Sequence, residues 1–184
     1  MIVFKILFRL DAKGIEHMPK RGGFILVSNH SSYLDPMVLS VACPRKLNFM
    51  AKEELFYNPL FSRLISKLGA FPVKRNSLDL SAVKEAMRRL KEGEILLLFP
   101  EGTRRKNGVS SVVRSGAGFF SVKLGVPVIP AFIRGTQIAL PKGANFIRLT
   151  KISVRFGKQI SIERRMPYKD IACHIMENIR HLSC

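Results

Sequence analysis

Acidic residues are scarce in this chain of 184 residues: 13 aspartates and glutamates stand against 31 lysines and arginines, a formal net charge of +18. That balance favours anionic partners, namely phosphorylated substrates, anionic membrane surfaces, acidic carrier proteins or nucleic acid. Long apolar runs are missing too, since no stretch approaches the roughly 20 apolar residues that span a bilayer. Lys5 and Arg9 interrupt the mostly apolar first ten residues, and no small-residue cleavage site follows, so a signal peptide is not expected. Any membrane association is therefore expected to be peripheral.

Cysteine is equally sparse. Cys43, Cys173 and Cys184 show no paired or metal-like spacing, so we expect a reducing cytoplasm and no bound metal. Internal repeats and low-complexity segments are also absent, and a hydrophobic content of 47% argues against disorder. At this length, residues 1–184 are expected to form one domain around a single core.

The first chemically informative stretch is residues 29–36, which read Asn-His-Ser-Ser-Tyr-Leu-Asp-Pro. The apolar run Phe24–Ser28 before it predicts a buried strand, and Asp35 followed by Pro36 is typical of a helix start. His30 is therefore predicted at the carboxyl end of a core strand, where α/β folds place ligand chemistry. The short loop can return Asp35 to the imidazole, which would make a general base with an orienting carboxylate. The alternative is that Asp35 only caps a helix and His30 is an ordinary loop residue.

A second stretch favours the catalytic interpretation. Residues 99–104 read Phe-Pro-Glu-Gly-Thr-Arg and follow another apolar strand, Ile95–Leu98. Together with residues 29–36, and with residues 69–75 as a strand ending in arginine, this pattern resembles the glycerolipid acyltransferases, especially the 1-acylglycerol-3-phosphate acyltransferases. The resemblance covers roughly residues 14–136.

The resemblance and the strand–helix–strand spacing imply an α/β fold, a mixed and mainly parallel sheet flanked by helices. Residues 4–13 are predicted as an early strand, with a short interfacial helix as the alternative. Pro72 indicates an edge or strand-end position for its strand. A helix capped by Ser77 or Asp79 is expected to bury a stripe at helical spacing. That stripe consists of Leu80, Val83, Met87 and Leu90. A closing helix is predicted over residues 168–180.

The resemblance also implies roles for site residues. His30 takes the proton of the acceptor hydroxyl and Asp35 orients it, so that no serine and no acyl-enzyme are needed. Glu101 positions the glycerol hydroxyl or anchors its loop. Gly102 lets backbone N–H groups approach the substrate. Arg75 and Arg104 are the best phosphate ligands, because guanidinium forks match phosphate oxygens. Three further residues are expected at the substrate: Asn29, Thr103 and, more weakly, Lys52.

The expected reaction moves a fatty acyl group to the sn-2 hydroxyl of lysophosphatidate, at the cytoplasmic face of a membrane. Acyl-CoA or acyl-carrier protein is the expected co-substrate, with no cofactor besides. Family members commonly carry membrane-embedded helices ahead of the histidine motif, whereas 29 residues precede His30 here. We therefore expect a surface groove and the bilayer, or another chain, to hold the acyl chain. Three alternatives stay open: another lysophospholipid acceptor, a catalytically silent lipid-binding relative, and a basic nucleic-acid-binding domain. The last lacks an aromatic stacking platform and zinc spacing, so no nucleic-acid partner is expected.

Overall fold

A central β-sheet carries the fold of the computed structural model, which describes residues 2–74, 79–102, 115–141, 143–144, 146–163 and 165–183. In these residues the sheet has seven strands. The strands are β1 Asp11–Lys13, β2 Phe24–Ser28, β3 Leu47–Lys52, β4 Ala70–Val73, β5 Ile95–Leu98, β6 Val128–Arg134 and β7 Ser153–Phe156. The helices are α1 Ile2–Leu7, α2 Asp35–Ala42, α3 Pro59–Lys67, α4 Leu80–Lys91, α5 Gly116–Leu124, α6 Thr136–Ala139 and α7 Tyr168–His181.

The strand order is β1-β7-β6-β2-β5-β3-β4, and every pair is parallel except the antiparallel pair of β6 and β7. The predicted mixed, mainly parallel α/β sheet is therefore confirmed. β2 lies between β5 and β6 and is buried throughout, as its continuous apolar run predicts. β4 is an edge strand, which is where a proline such as Pro72 is tolerated.

The sheet buries both faces, as a parallel sheet must. On one face Leu26, Leu97 and Ile129 pack with Val38 and Leu39 of α2. On the other face the side chains of β2, β5 and β6 pack under α4, α5 and α7. The members of that second layer include Ile25, Val27, Leu96, Ala86, Phe120 and Ile175. Each large apolar side chain fully buried in these layers contributes about 1.5–3 kcal/mol to folding.

The predicted strand over residues 4–13 is wrong for most of its length. The chain forms α1 over Ile2–Leu7, and only Asp11–Lys13 pairs as a strand, with β7. Arg9 turns the chain between them with a φ of 42°, while Phe8 enters the core. The mostly apolar segment over residues 4–13 fits helical and strand periodicity almost equally. The turn at Arg9 divides it into a helix before the turn and a short strand after it. No helix in the described part of the chain is long and apolar enough to cross a membrane.

Helix α4 begins at the predicted place, with the Asp79 carboxylate accepting from the N–H groups of Ser81 and Ala82. Ser77, the other predicted cap, lies outside the described residues. The buried face is shifted from the predicted stripe: Leu80 is 60% exposed, and the fully buried positions are Ala82, Ala86 and Leu90. Small alanines let the helix lie close on the sheet, and periodicity in large apolar residues does not reveal them. The predicted closing helix is confirmed as α7, with Ile171, Ile175 and Ile179 buried.

Candidate active site

His30 and Asp35 meet at the carboxyl edge of the sheet. Strand β2 ends at Ser28, so its direction brings His30 out of the core at the end of a central strand. His30 Nδ1 lies 2.8 Å from Asp35 Oδ2. The Asp35 side chain is wholly buried and that of His30 is 13% exposed, so the imidazole alone reaches solvent. The structure thus brings the two residues together as the loop length predicts; their catalytic roles stay predictions.

Asp35 is held by the loop that it closes. Its Oδ2 atom accepts from the backbone N–H groups of Ser31 at 2.6 Å and Ser32 at 2.8 Å, as well as facing His30 Nδ1. The predicted role of Asp35 as a helix cap is wrong, because α2 begins at Asp35 itself and Leu34 occupies the capping position without a side-chain bond. An aspartate in this bonding pattern accepts the Nδ1 proton, which leaves Nε2 as the nitrogen that can receive a proton.

The second motif, residues 99–104, supplies the aromatic ring against which the imidazole of His30 lies. The register places Val27 beside Leu98, so the segments that follow β2 and β5 run side by side. The rings of His30 and Phe99 stack with centroids 4.1 Å apart at 21°. Gly102 N–H donates to Phe99 O at 2.8 Å and closes a turn that needs the φ of 65° seen at Gly102. Sequence reasoning missed this role of Phe99, although the parallel pairing of the two strands implies it.

Glu101 lies inside this turn and is 3% exposed. Burial fits either of its predicted roles, substrate positioning or anchoring of the loop, and both stay predictions.

Asn29 anchors the histidine loop to β6. Its Nδ2 donates to Ile133 O at 2.9 Å and its Oδ1 accepts from Ile133 N at 2.8 Å, with the side chain buried. These bonds hold the residue that precedes His30 against β6, and the predicted contact of Asn29 with substrate stays a prediction. Thr136, which sequence reasoning also missed, lies fully buried with Oγ1 3.4 Å from Ser31 Oγ. Its partner is 105 positions away, so no local pattern signals it.

The remaining predicted residues divide into two groups. Lys52 ends β3 at the same sheet edge, where its half-exposed Nζ lies 2.6 Å from Glu54 Oε1. Thr103, Arg75 and Arg104 lie outside the described residues. Among those that are described, no group of three or more His, Cys, Asp or Glu side chains could hold a metal ion.

The fold and the site define an α/β enzyme whose polar residues gather at the carboxyl edge of a mainly parallel sheet. Comparison with known proteins specifies the class further. The family model described as acyltransferase matches residues 9–134. The 1-acyl-sn-glycerol-3-phosphate acyltransferase of Bacillus subtilis is 36% identical over 146 residues, 79% of this chain and 70% of that protein. The chain therefore belongs to the acyltransferase family.

Two further relatives agree with this assignment. The chloroplastic 1-acyl-sn-glycerol-3-phosphate acyltransferase of Brassica napus is 32% identical over 76% of this chain, which spans 41% of that longer protein. The crystal structure of the 1-acyl-sn-glycerophosphate acyltransferase PlsC from Thermotoga maritima matches with a TM-score of 0.77 and 27% identity. That match covers 94% of this chain and 69% of the Thermotoga chain.

Proposed function

We propose that this enzyme transfers a fatty acyl group from an acyl thioester to the sn-2 hydroxyl of lysophosphatidate, which gives phosphatidate. The names of its relatives support acyl transfer to this acceptor. The observation that carries the proposal is the His30–Asp35 pair, 2.8 Å apart and open to solvent only through the imidazole. A neutral imidazole with a buried counter-charge is the group that base-catalysed acyl transfer requires.

The proposed reaction proceeds in two steps. His30 Nε2 takes the proton of the acceptor hydroxyl while that oxygen attacks the thioester carbonyl, and Asp35 stabilises the resulting imidazolium. The tetrahedral intermediate then collapses, the carbon–sulfur bond breaks, and the imidazolium returns the proton to the departing thiolate. The products are the ester and a free thiol, and no cofactor takes part.

A direct transfer without an acyl-enzyme fits the neighbouring side chains. Ser32 Oγ donates to Leu140 O at 2.9 Å, so its proton is directed away from the imidazole. Burial raises the pKa of the Cys43 thiol above its ordinary value, which keeps it in the unreactive protonated form. Neither residue has the activated state that a covalent nucleophile needs.

The phosphate of the acceptor is proposed to bind Arg75 and Arg104, with Lys52, Thr103 and the backbone at Gly102 close by. The support is that Arg75 follows β4, that residues 102–104 follow β5, and that Lys52 ends β3, because the carboxyl ends of these strands share the edge that holds His30. Arg75→Ala and Arg104→Ala should raise KM for lysophosphatidate at least tenfold and leave KM for an acceptor lacking phosphate nearly unchanged. Equal losses with both acceptors would contradict this assignment.

The enzyme is proposed to work at the cytoplasmic face of an anionic membrane, bound peripherally. Five large apolar side chains are more than 65% exposed among the described residues, and all five lie on segments that leave or enter the sheet at the His30 edge. They are Ile6, Tyr57, Leu60, Phe146 and Leu149. An apolar rim on a chain of charge +18 suits an anionic lipid surface, where each Lys or Arg contributes about 1 kcal/mol.

Flotation with vesicles tests the membrane proposal. Binding should be strong with anionic vesicles at low salt, mostly lost at high salt, and weakened in Leu60→Ser and Phe146→Ser. Equal binding to neutral vesicles would show that the charge serves another partner.

The reaction itself is tested by thiol release from an acyl thioester, with and without lysophosphatidate. Release should require the acceptor, and His30→Ala should lower kcat by about 10²–10⁴ while the fold persists. His181→Ala, at an exposed position on α7, is the matched control and should keep full activity. Full activity in His30→Ala would refute the mechanism. Release only with another lysophospholipid would keep the chemistry and change the acceptor.

A further inference from the structure

A cleft of about 310 Å³ lies where β1, β7 and the end of β6 meet, beside the site already described. Its polar lining consists of four cationic side chains, one carboxylate and one hydroxyl. They are Lys13, Arg134, Lys151, Arg155, Asp11 and Ser153. The excess of positive charge in a concave surface is the feature that calls for explanation.

The strand register forces these cations together on one face. Ala12, Val154 and Ile133 pack into the core, so the alternate positions of the same strands face outward. Lys13 stands directly opposite Arg155, and Arg134 opposite Ser153. Four cationic side chains on or beside neighbouring strands form a surface that an anion can contact at several points.

The cleft lies two strands away from β2, the strand that leads to His30. β6 is the direct neighbour of both β2 and β7, so β2 and β7 are separated by about 10 Å at ordinary strand spacing. Gly135, which ends β6 in this cleft, has a φ of 99°, and a Cβ there would lie 2.3 Å from Lys151 O. This close approach fixes Lys151 at the rim. The next residue, Thr136, contacts Ser31 beside the catalytic loop.

We propose that this cleft binds the phosphate groups of coenzyme A in an acyl-CoA donor, an inference that rests on the proposed acyl transfer. The acceptor's phosphate is proposed to bind on the other side of β2, after β5 and β4, whereas this cleft lies on the β7 side. A donor carries its phosphates at the far end of a long pantetheine arm, which suits a site two strands away. Four cations against one carboxylate match the diphosphate and 3′-phosphate of coenzyme A better than the single phosphodiester of a carrier protein's arm.

Equilibrium titration with free coenzyme A tests the cleft without turnover. The double variant Lys13→Gln/Lys151→Gln removes two exposed cations and should weaken coenzyme A binding about tenfold or more. Dephospho-coenzyme A should bind the wild-type protein more weakly than coenzyme A, and pantetheine more weakly still. Lys91→Gln, an exposed lysine at the far end of α4, is the matched control and should bind coenzyme A like the wild type.

The outcomes separate this inference from the proposed function. Unchanged coenzyme A affinity in the double variant would overturn the cleft assignment even if acyl transfer is observed. The assignment would also be overturned if the double variant lost its binding to anionic vesicles while keeping its coenzyme A affinity, because the cations would then serve the membrane. The cleft assignment would likewise be overturned if the wild-type enzyme transferred an acyl group from acyl-carrier protein and did not bind coenzyme A. If no donor supports transfer, the proposed function fails, and the titration still decides whether the cleft holds coenzyme A.

Discussion

Replacing Asp35 by asparagine tests whether the buried charge, rather than the shape of the side chain, supports His30. In the wild type a single oxygen, Oδ2, accepts from two backbone N–H groups and faces His30 Nδ1, while Oδ1 has no hydrogen-bond partner among the described residues. Asparagine in Asp35→Asn must place its oxygen at the Oδ2 position, because an amide N–H₂ there would oppose both backbone donors. The tautomer of His30 is then preserved and only the negative charge is lost.

The expected loss follows from that charge. An imidazolium and a carboxylate with charge centres about 4 Å apart attract each other by about 4 kcal/mol at an effective dielectric constant of about 20. If half of this attraction is present in the transition state, kcat falls about 30-fold, and if all of it is present kcat falls about 10³-fold. The amide N–H₂ takes the buried Oδ1 position and lacks an acceptor, which lowers the free energy of unfolding by about 1–3 kcal/mol.

Thiol release with lysophosphatidate gives kcat, and urea denaturation gives the free energy of unfolding. Asp170→Asn makes the same chemical change at an exposed position in the first turn of α7 and should leave kcat unchanged. An unchanged kcat in Asp35→Asn would show that the carboxylate charge is irrelevant. A loss of 10⁴-fold or more would show that the amide had reversed and imposed the wrong tautomer on His30.

Three further predictions concern the supports of the site and of α4. Phe99→Ala should lower kcat up to about tenfold with little change in KM, because an aromatic pair worth about 0.5–1.5 kcal/mol orients the imidazole; steady-state kinetics measures both. Asn29→Asp turns a carboxylate oxygen toward Ile133 O in a buried position and should lower the free energy of unfolding by about 3 kcal/mol, measured by urea denaturation. The pKa of Asp79 is lowered to about 2, chiefly by the Lys74 N–H and then by the Ser81 hydroxyl, so its stabilisation is present above pH 3.8 and is lost as the pH falls through about 2. Thermal unfolding between pH 5 and pH 2 should therefore depend less on pH in Asp79→Asn than in the wild type.

The central strands and the histidine–aspartate contact are predictable from the sequence because their signals are local. Strands β2 and β5 are continuous apolar runs, and His30 and Asp35 are only five positions apart. The early strand was mispredicted because a short apolar segment has two acceptable periodicities. The role of Asp35 was mispredicted in part, because the same Asp-Pro pair can start a helix with or without capping it.

The supports of the site escape sequence reasoning for a different reason. Asn29 bonds to Ile133, 104 positions away, and Thr136 reaches Ser31 across a similar separation. The opposition of Lys13 and Arg155 depends on a parallel register between the first and last strands. Such partners follow from strand order, and strand order is set by the packing of the whole domain rather than by any local pattern.

The position of β2 between β5 and β6 has a consequence for biosynthesis. Neither neighbour of β2 exists when β2 is made, because β5 begins at Ile95 and β6 at Val128. At about 5–20 residues per second, the segment between Asn29 and Ile133 takes on the order of 5–20 s to translate. Until β5 has been made, the apolar strand β2 has no neighbour to pair with and is a target for chaperones or for aggregation. The His30 loop is encoded early, yet a nascent chain cannot hold it in place before Ile133 has emerged from the ribosome.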